Sequence, residues 1–101
     1  MQKLIVRYSK TGLMIYISQL DLLRVFQRAL RRAQLPFVLT KGFNPHPKIS
    51  FKRALKLGVE SYDEEATFYL ETPMEPELFR QKIQAQLPEG IKILSVKSEF
   101  L

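Results

Sequence analysis

The sequence predicts an α+β fold in one domain that spans residues 1–101. Three observations predict it. The chain length suits one hydrophobic core, two stretches carry apolar residues at helical spacing, and stretches that alternate apolar and polar residues surround them. A hydrophobic fraction of 46% is ordinary for a globular protein. A domain of about 100 residues can therefore fold without disulfide staples.

The N-terminal residues predict a strand, a turn and a second short strand. Residues 3–8 alternate, with Leu4, Val6 and Tyr8 on one side. Residues 9–12, Ser-Lys-Thr-Gly, are typical of a turn, and residues 13–17 are uniformly apolar. We expect residues 13–17 to form a strand that is hairpinned to the first or continues its edge.

A helix that begins after Ser18 is the clearest element. Ser18 can cap it, and Asp21 places negative charge in its first turn. We expect the helix to end near Gln34, because Pro36 disfavours helical geometry in the preceding residue. Its apolar face comprises Leu22, Leu23, Phe26, Ala29, Leu30 and Ala33.

The rest of the chain predicts further strands and a second helix. The helix opens at residues 73–76 and stops before Pro88 and Gly90. The expected strands are residues 37–40, 49–51, 66–71 and 91–96, with a connection at residues 55–59. This order fits a ferredoxin-like split βαβ sandwich, in which an antiparallel sheet carries two helices on one face. The fold hosts many activities and does not specify one.

Composition excludes several classes of site. The chain has no cysteine, so disulfides, thiolate metal sites and cysteine nucleophiles are excluded. One histidine cannot build a His-rich metal site, and we expect no metal and no cofactor. The longest apolar run, residues 13–17, falls far short of the roughly 20 residues of a membrane span. Without a signal-peptide pattern, we expect a cytoplasmic protein with no membrane contact.

Positive charge is concentrated in one third of the chain. Residues 24–56 contain nine basic and no acidic residues. Because the whole chain carries +6, the remaining residues together carry −3. This asymmetry favours a polyanionic partner, with nucleic acid first and an acidic protein or a membrane surface next, although a solubilising surface is the simpler alternative.

Two parts of this window are candidate nucleic-acid contacts. On the predicted helix, four arginines lie opposite the apolar face and form a stripe. In the loop that follows, two prolines stiffen a segment in which aromatic residues alternate with cations, a composition typical of single-stranded nucleic-acid sites. The candidates are Arg24, Arg28, Arg31, Arg32, Lys41, Phe43, His46, Lys48, Lys52 and Arg53.

Each candidate also has a simpler structural interpretation. Phe43 could plug the core, with the prolines as a rigid connector. His46 is the one candidate catalytic residue, as a general acid or base in RNA cleavage, but it would need Tyr62, a lysine or Ser50 as a partner. We expect residues 63–65, Asp-Glu-Glu, to be a solvated strand edge rather than a metal site. The chain contains no phosphate-binding glycine motif.

Several sequence blocks together resemble a known bacterial family. They are residues 7–12 (RYSKTG), 18–24 (SQLDLLR), 28–33 (RALRRA), 42–51 (GFNPHPKISF) and 57–59 (LGV). This series is similar to the radical-SAM-linked family, a domain of unknown function. Its members occur fused to, or encoded beside, B12-binding radical SAM proteins, often near a ribonuclease of the E/G type. The resemblance implies a radical SAM partner that supplies any radical chemistry, since this chain has no cysteine for a cluster.

The chain departs from the family pattern at two points. The family's usual Ser-His-Leu-Asp block reads Ser18-Gln19-Leu20-Asp21, so an amide stands where a histidine is usual. The family domain is also about twice as long, so the chain resembles its N-terminal half.

Three functions follow as hypotheses. The first is an RNA-binding accessory domain, acting on tRNA, rRNA or their processing machinery, whose affinity falls by orders of magnitude between low and physiological salt. The second is a module that docks on a radical SAM partner. The third is an RNA endonuclease that uses His46, by fold-level analogy alone. We expect no catalytic activity of the chain on its own.

Overall fold

A computed structural model describes residues 1–54 and 56–100 of the chain. Four strands, two α-helices and a short 3-10 helix make up its regular structure. In chain order they are β1 (Gln2–Lys10), the 3-10 helix (Gly12–Tyr16), α1 (Gln19–Arg32), β2 (Ile49–Phe51), β3 (Ser61–Leu70), α2 (Pro76–Gln84) and β4 (Ile91–Phe100).

The four strands form one antiparallel sheet in the order β2-β3-β1-β4. The two long central strands pair from Gln2 opposite Leu70 to Lys10 opposite Ser61. Together with the element order, this arrangement is the split βαβ topology, and the predicted α+β, ferredoxin-like fold is confirmed.

Both helices pack on the same face of the sheet. The ring of Phe68 on β3 contacts Phe26 of α1 at 5.4 Å and Phe79 of α2 at 5.5 Å, in edge-to-face geometry. The residues that alternate with this buried set point to the opposite face. We call this the open face, because neither helix covers it; it carries Lys3, Ile5 and Arg7 of β1 and Glu65, Thr67 and Tyr69 of β3.

The predicted first helix is confirmed. Ser18 caps α1, and its hydroxyl accepts a hydrogen bond of 3.1 Å from the backbone N–H of Asp21. Leu22, Phe26, Ala29 and Leu30 are buried, as their spacing predicts.

Residues 13–17 do not form the predicted strand. Residues 12–16 form the 3-10 helix instead. The reason is the position of β1, which lies between β3 and β4 and has no free edge for a hairpin partner. Gly90 holds the segment in place: its carbonyl accepts from the Thr11 N–H at 2.8 Å, and a Cβ on Gly90 would meet the Thr11 oxygen at 2.5 Å.

Two other strand predictions also need correction. Residues 37–40 make only isolated bridges, Phe37 with Leu70 and Leu39 with Pro47, because the flanking prolines lack the N–H groups of a continuous ladder. The strand predicted at residues 66–71 begins earlier, at Ser61, and ends at Leu70. Within the connection predicted at residues 55–59, Leu55 lies outside the described residues.

Candidate nucleic-acid interface

The predicted loop is the end of a narrow two-stranded ribbon at the edge of the sheet. Residues 38–40 run beside residues 46–48, joined by hydrogen bonds from Thr40 N–H to the His46 carbonyl (2.7 Å) and from Lys48 N–H to the Val38 carbonyl (2.7 Å). The His46 N–H donates to the Thr40 hydroxyl at 3.0 Å. Residues 41–45, which we call the tip loop, span the end of this ribbon.

Phe43 projects from the tip loop into solvent. The residue has 104% of its reference exposure, so the core-plug interpretation is wrong. Gly42 has a φ of +130°, a conformation that side-chain-bearing residues rarely adopt, and the chain can therefore turn just before Phe43. A fully exposed phenylalanine contributes nothing to the core, and Phe43 at the end of the braced ribbon is accessible to another molecule.

The charged residues of the ribbon are also exposed. Lys41 and His46 lie in or beside the tip loop, and neither makes an ion pair with a described residue. The imidazole of His46 has no hydrogen-bond partner in the described part of the chain, and the Tyr62 hydroxyl donates to Glu60 instead (3.4 Å). The general acid or base prediction for His46 therefore has no partner residue to support it.

The ribbon connects the tip loop to the open face. The Lys48 ammonium lies 4.5 Å from the ring centroid of Tyr69, a cation–π contact. Lys3 of β1 is the cross-strand neighbour of Tyr69, and Lys52 follows β2 on the same edge of the sheet. Sequence analysis missed Tyr69, although its alternation with the buried Phe68 and Leu70 was a signal that it faces away from the core.

Arg53 has a different environment from the other predicted cations. Its guanidinium donates two hydrogen bonds, of 3.1 and 2.9 Å, to the carboxylate of Glu64. Glu64 is only 3% exposed and also accepts from the Ser61 hydroxyl, so the prediction of a solvated edge is wrong at this residue. The carboxylate is stable there because Arg53 compensates its charge.

Lys10 completes this group of Arg53, Glu64 and Lys10, which we call the Glu64 cluster. Lys10 is 1% exposed, and its ammonium donates to the Ile17 carbonyl at 3.0 Å. Burial lowers the pKa of Lys10, against the opposing effect of Glu64. Burial alone would raise the pKa of Glu64, but hydrogen bonds from Arg53 and Ser61 and the charges of Arg53 and Lys10 outweigh it, so that pKa lies below its ordinary value.

The four arginines of α1 lie on the helix side of the sheet, away from the open face, and all four are exposed. Arg24 pairs with Asp21 at 3.5 Å, and the Arg31 guanidinium stacks 5.3 Å from the ring of Phe37. Arg28 and Arg32 line a groove between α1 and the turn after α2. The four arginines are therefore apart from the open face, but α1 itself contacts the ribbon, because the Gln27 amide donates to the Pro47 carbonyl at 3.3 Å.

No group of three or more His, Asp or Glu side chains that could hold a metal ion occurs within residues 1–54 and 56–100. In the same residues, no helix is long and apolar enough to cross a membrane.

Comparison with known families shows the family of the chain. Residues 3–99 match the family described as "Uncharacterized protein conserved in bacteria (DUF2344)". The chain belongs to this family. The family has no assigned activity, so it corroborates the unknown-function bacterial domain suggested by the sequence blocks, and the radical SAM link stays a prediction. No curated protein matches the chain.

Proposed function

We propose that this protein is an RNA-binding accessory domain that holds single-stranded RNA along the ribbon and onto the open face. The observation that carries the proposal is the fully exposed Phe43 at the tip of a hydrogen-bonded ribbon. An aromatic side chain presented in this way can stack on a base, and stacking is worth about 1–3 kcal/mol per base.

The cations along the ribbon support a path for the phosphates. Lys41, Lys48 and Lys52 follow one another from the tip loop to the sheet edge, and all three are exposed and without an ion-pair partner among the described residues. Lysines placed along an extended chain with an aromatic residue between them are the arrangement that single-stranded sites use.

Tyr69 supplies a second stacking position on this path. In the free protein the Lys48 ammonium occupies one side of its ring. A phosphate would draw Lys48 away from the ring and leave that side to a base, so the lysine and the tyrosine act in sequence on one nucleotide. The central strands of four-stranded sheets in other RNA-binding modules use aromatic side chains in the same way.

The test is binding of a labelled single-stranded RNA of about ten nucleotides, measured by fluorescence anisotropy at about 50 and 200 mM salt. Three lysine–phosphate contacts predict a slope of about −2 in log K against log salt, a loss of roughly 20-fold between the two conditions. A slope near zero, or no binding at low salt, would contradict the proposal.

The RNA affinities of the variant Phe43→Ala and of a control variant test whether RNA binds at the tip loop. We expect Phe43→Ala to weaken RNA binding by about tenfold through loss of one stacked base. Tyr16→Ala is the matched control, because Tyr16 is also exposed but lies beyond the opposite end of β1. Equal effects of the two variants would place the RNA elsewhere.

The biological setting is a separate proposal that rests on the sequence resemblance. We propose that the domain presents tRNA or rRNA to a B12-binding radical SAM protein. A pull-down of such a protein that is lost on nuclease treatment would support a bridge through RNA. A pull-down that survives nuclease treatment would favour direct docking, the second hypothesis.

A further inference from the structure

A groove of about 500 Å³ lies between α1 and the turn that follows α2. Its lining combines the apolar side chains of Met14, Val25 and Leu87 with the guanidinium groups of Arg28 and Arg32. No aspartate or glutamate lines it. The groove is on the helix side of the sheet, so it is separate from the ribbon and the open face.

The two groove arginines differ from the other two on α1. Arg24 and Arg31 each have a partner, Asp21 and Phe37 respectively. Within the described residues Arg28 and Arg32 make no ion pair and no ring contact, and both are exposed. Arg24 is thus the one stripe arginine with an ion pair among the described residues, and the two arginines that border the apolar groove have neither an ion pair nor a ring contact there.

The groove walls are held by hydrogen bonds. The Gln84 side-chain amide donates to the Ile91 carbonyl at 3.0 Å, and its oxygen accepts from the Ile93 N–H at 2.7 Å. These bonds tie the end of α2 to β4. On the other wall, the Gly90 carbonyl holds Thr11 beside the 3-10 helix that carries Met14. A site formed in advance loses little free energy to ordering when a partner binds.

We propose that this groove binds an acidic amphipathic helix of a partner protein. Apolar side chains of that helix would rest on Met14, Val25 and Leu87. Arg28 and Arg32 are four residues apart, about 6 Å along α1, and carboxylates one turn apart on the partner match that spacing. The apolar lining favours a protein over RNA, because phosphate contact alone makes no use of it.

The test uses a fluorescein-labelled helical peptide with leucines on one face and two glutamates one turn apart, and a scrambled peptide of the same composition. We expect the amphipathic peptide to bind and the scrambled one to bind at least about tenfold more weakly. Backbone NMR shifts should be confined to the residues that line the groove, Met14 among them. Equal binding of both peptides would overturn the proposal, since charge alone would then explain the contact.

Two double variants with the same change of charge complete the test. Arg28→Gln with Arg32→Gln should weaken peptide binding by about tenfold, whereas Arg24→Gln with Arg31→Gln should leave it within about twofold. We expect the groove variant, Arg28→Gln with Arg32→Gln, to bind single-stranded RNA like the wild type. If the groove variant loses RNA binding and the peptide does not bind, the groove is a nucleic-acid contact and the inference is wrong. The ribbon proposal is tested separately by Phe43→Ala.

Discussion

The ribbon and the Glu64 cluster use cations from the same acid-free stretch of sequence in opposite ways. Lys41 and Lys48 remain exposed and without an ion pair, whereas Arg53 donates two hydrogen bonds to the buried Glu64. The guanidinium of Arg53 is still largely exposed, but its charge is compensated within the fold. The number of basic residues in a stretch of sequence therefore overestimates the positive charge available to a partner. Acidic residues from a later strand can neutralise part of that charge.

Removing the Glu64 carboxylate should have the largest effect. Glu64→Gln leaves the buried Lys10 without its neighbouring negative charge and Arg53 without its partner, so we expect a loss of about 2–3 kcal/mol in the free energy of unfolding. Urea unfolding followed by circular dichroism measures it. Glu65→Gln, on the open face one residue later, is the control; a similar loss there would show that the cluster has no special role.

The second largest expected effect is the contribution of Glu64 to the pH dependence of stability. The folded-state pKa of Glu64 is lowered below its ordinary value of 4.5. Its contribution is therefore present above about pH 4.5 and is lost as the pH falls through the folded-state pKa. We expect the decline in stability on the acid side to be shallower in Glu64→Gln than in the wild type.

Glu77 provides the comparison for this pH experiment. Its pKa is also lowered, through a hydrogen bond from Arg80, but the pair is exposed on α2. Glu77→Gln should leave the acid decline nearly as steep as in the wild type, because solvent screens exposed pairs. If Glu77→Gln and Glu64→Gln make the acid-side loss of stability equally shallow, the burial of Glu64 does not explain its contribution.

Substitution of Lys48 should weaken RNA binding and its salt dependence more than substitution of Arg53 does. Loss of one phosphate contact in Lys48→Gln should reduce the salt slope by about 0.7 and weaken binding several-fold. Arg53→Gln should change the slope little, because Glu64 already compensates that charge, although it should lower stability. Anisotropy titrations over a salt series measure both. An equal change of slope in the two variants would mean that RNA draws Arg53 away from Glu64.

The smallest effect is expected at His46. Since its imidazole has no partner among the described residues, we expect RNA incubated with the wild type or with His46→Ala to stay intact, and affinity to change by about twofold or less. Gel analysis of end-labelled RNA measures the outcome. Cleavage by the wild type that His46→Ala abolishes would restore the endonuclease hypothesis.

The sequence predicted an element correctly where the residues that determine it lie within that element. The Ser18 cap, the spacing from Leu22 to Leu30 and Pro36 predicted α1, and the alternation of Leu4, Val6 and Tyr8 predicted β1. The sequence-based predictions were wrong where the conformation of a segment depends on the elements packed around it. Residues 13–17 have strand composition, but both edges of β1 are occupied, and Glu64 resembles a surface residue until Arg53 and Lys10 are placed beside it.

The sequence by itself determined the fold class, the main helix and the concentration of positive charge between residues 24 and 56, because periodicity, capping and composition are local properties. Only the tertiary structure decided how that charge is used. It exposes Phe43 on a ribbon, brings Lys48 onto Tyr69, pairs Arg53 with Glu64 and leaves Arg28 and Arg32 at an apolar groove. Each of these features depends on how different segments of the chain pack together, so the tertiary structure determines them.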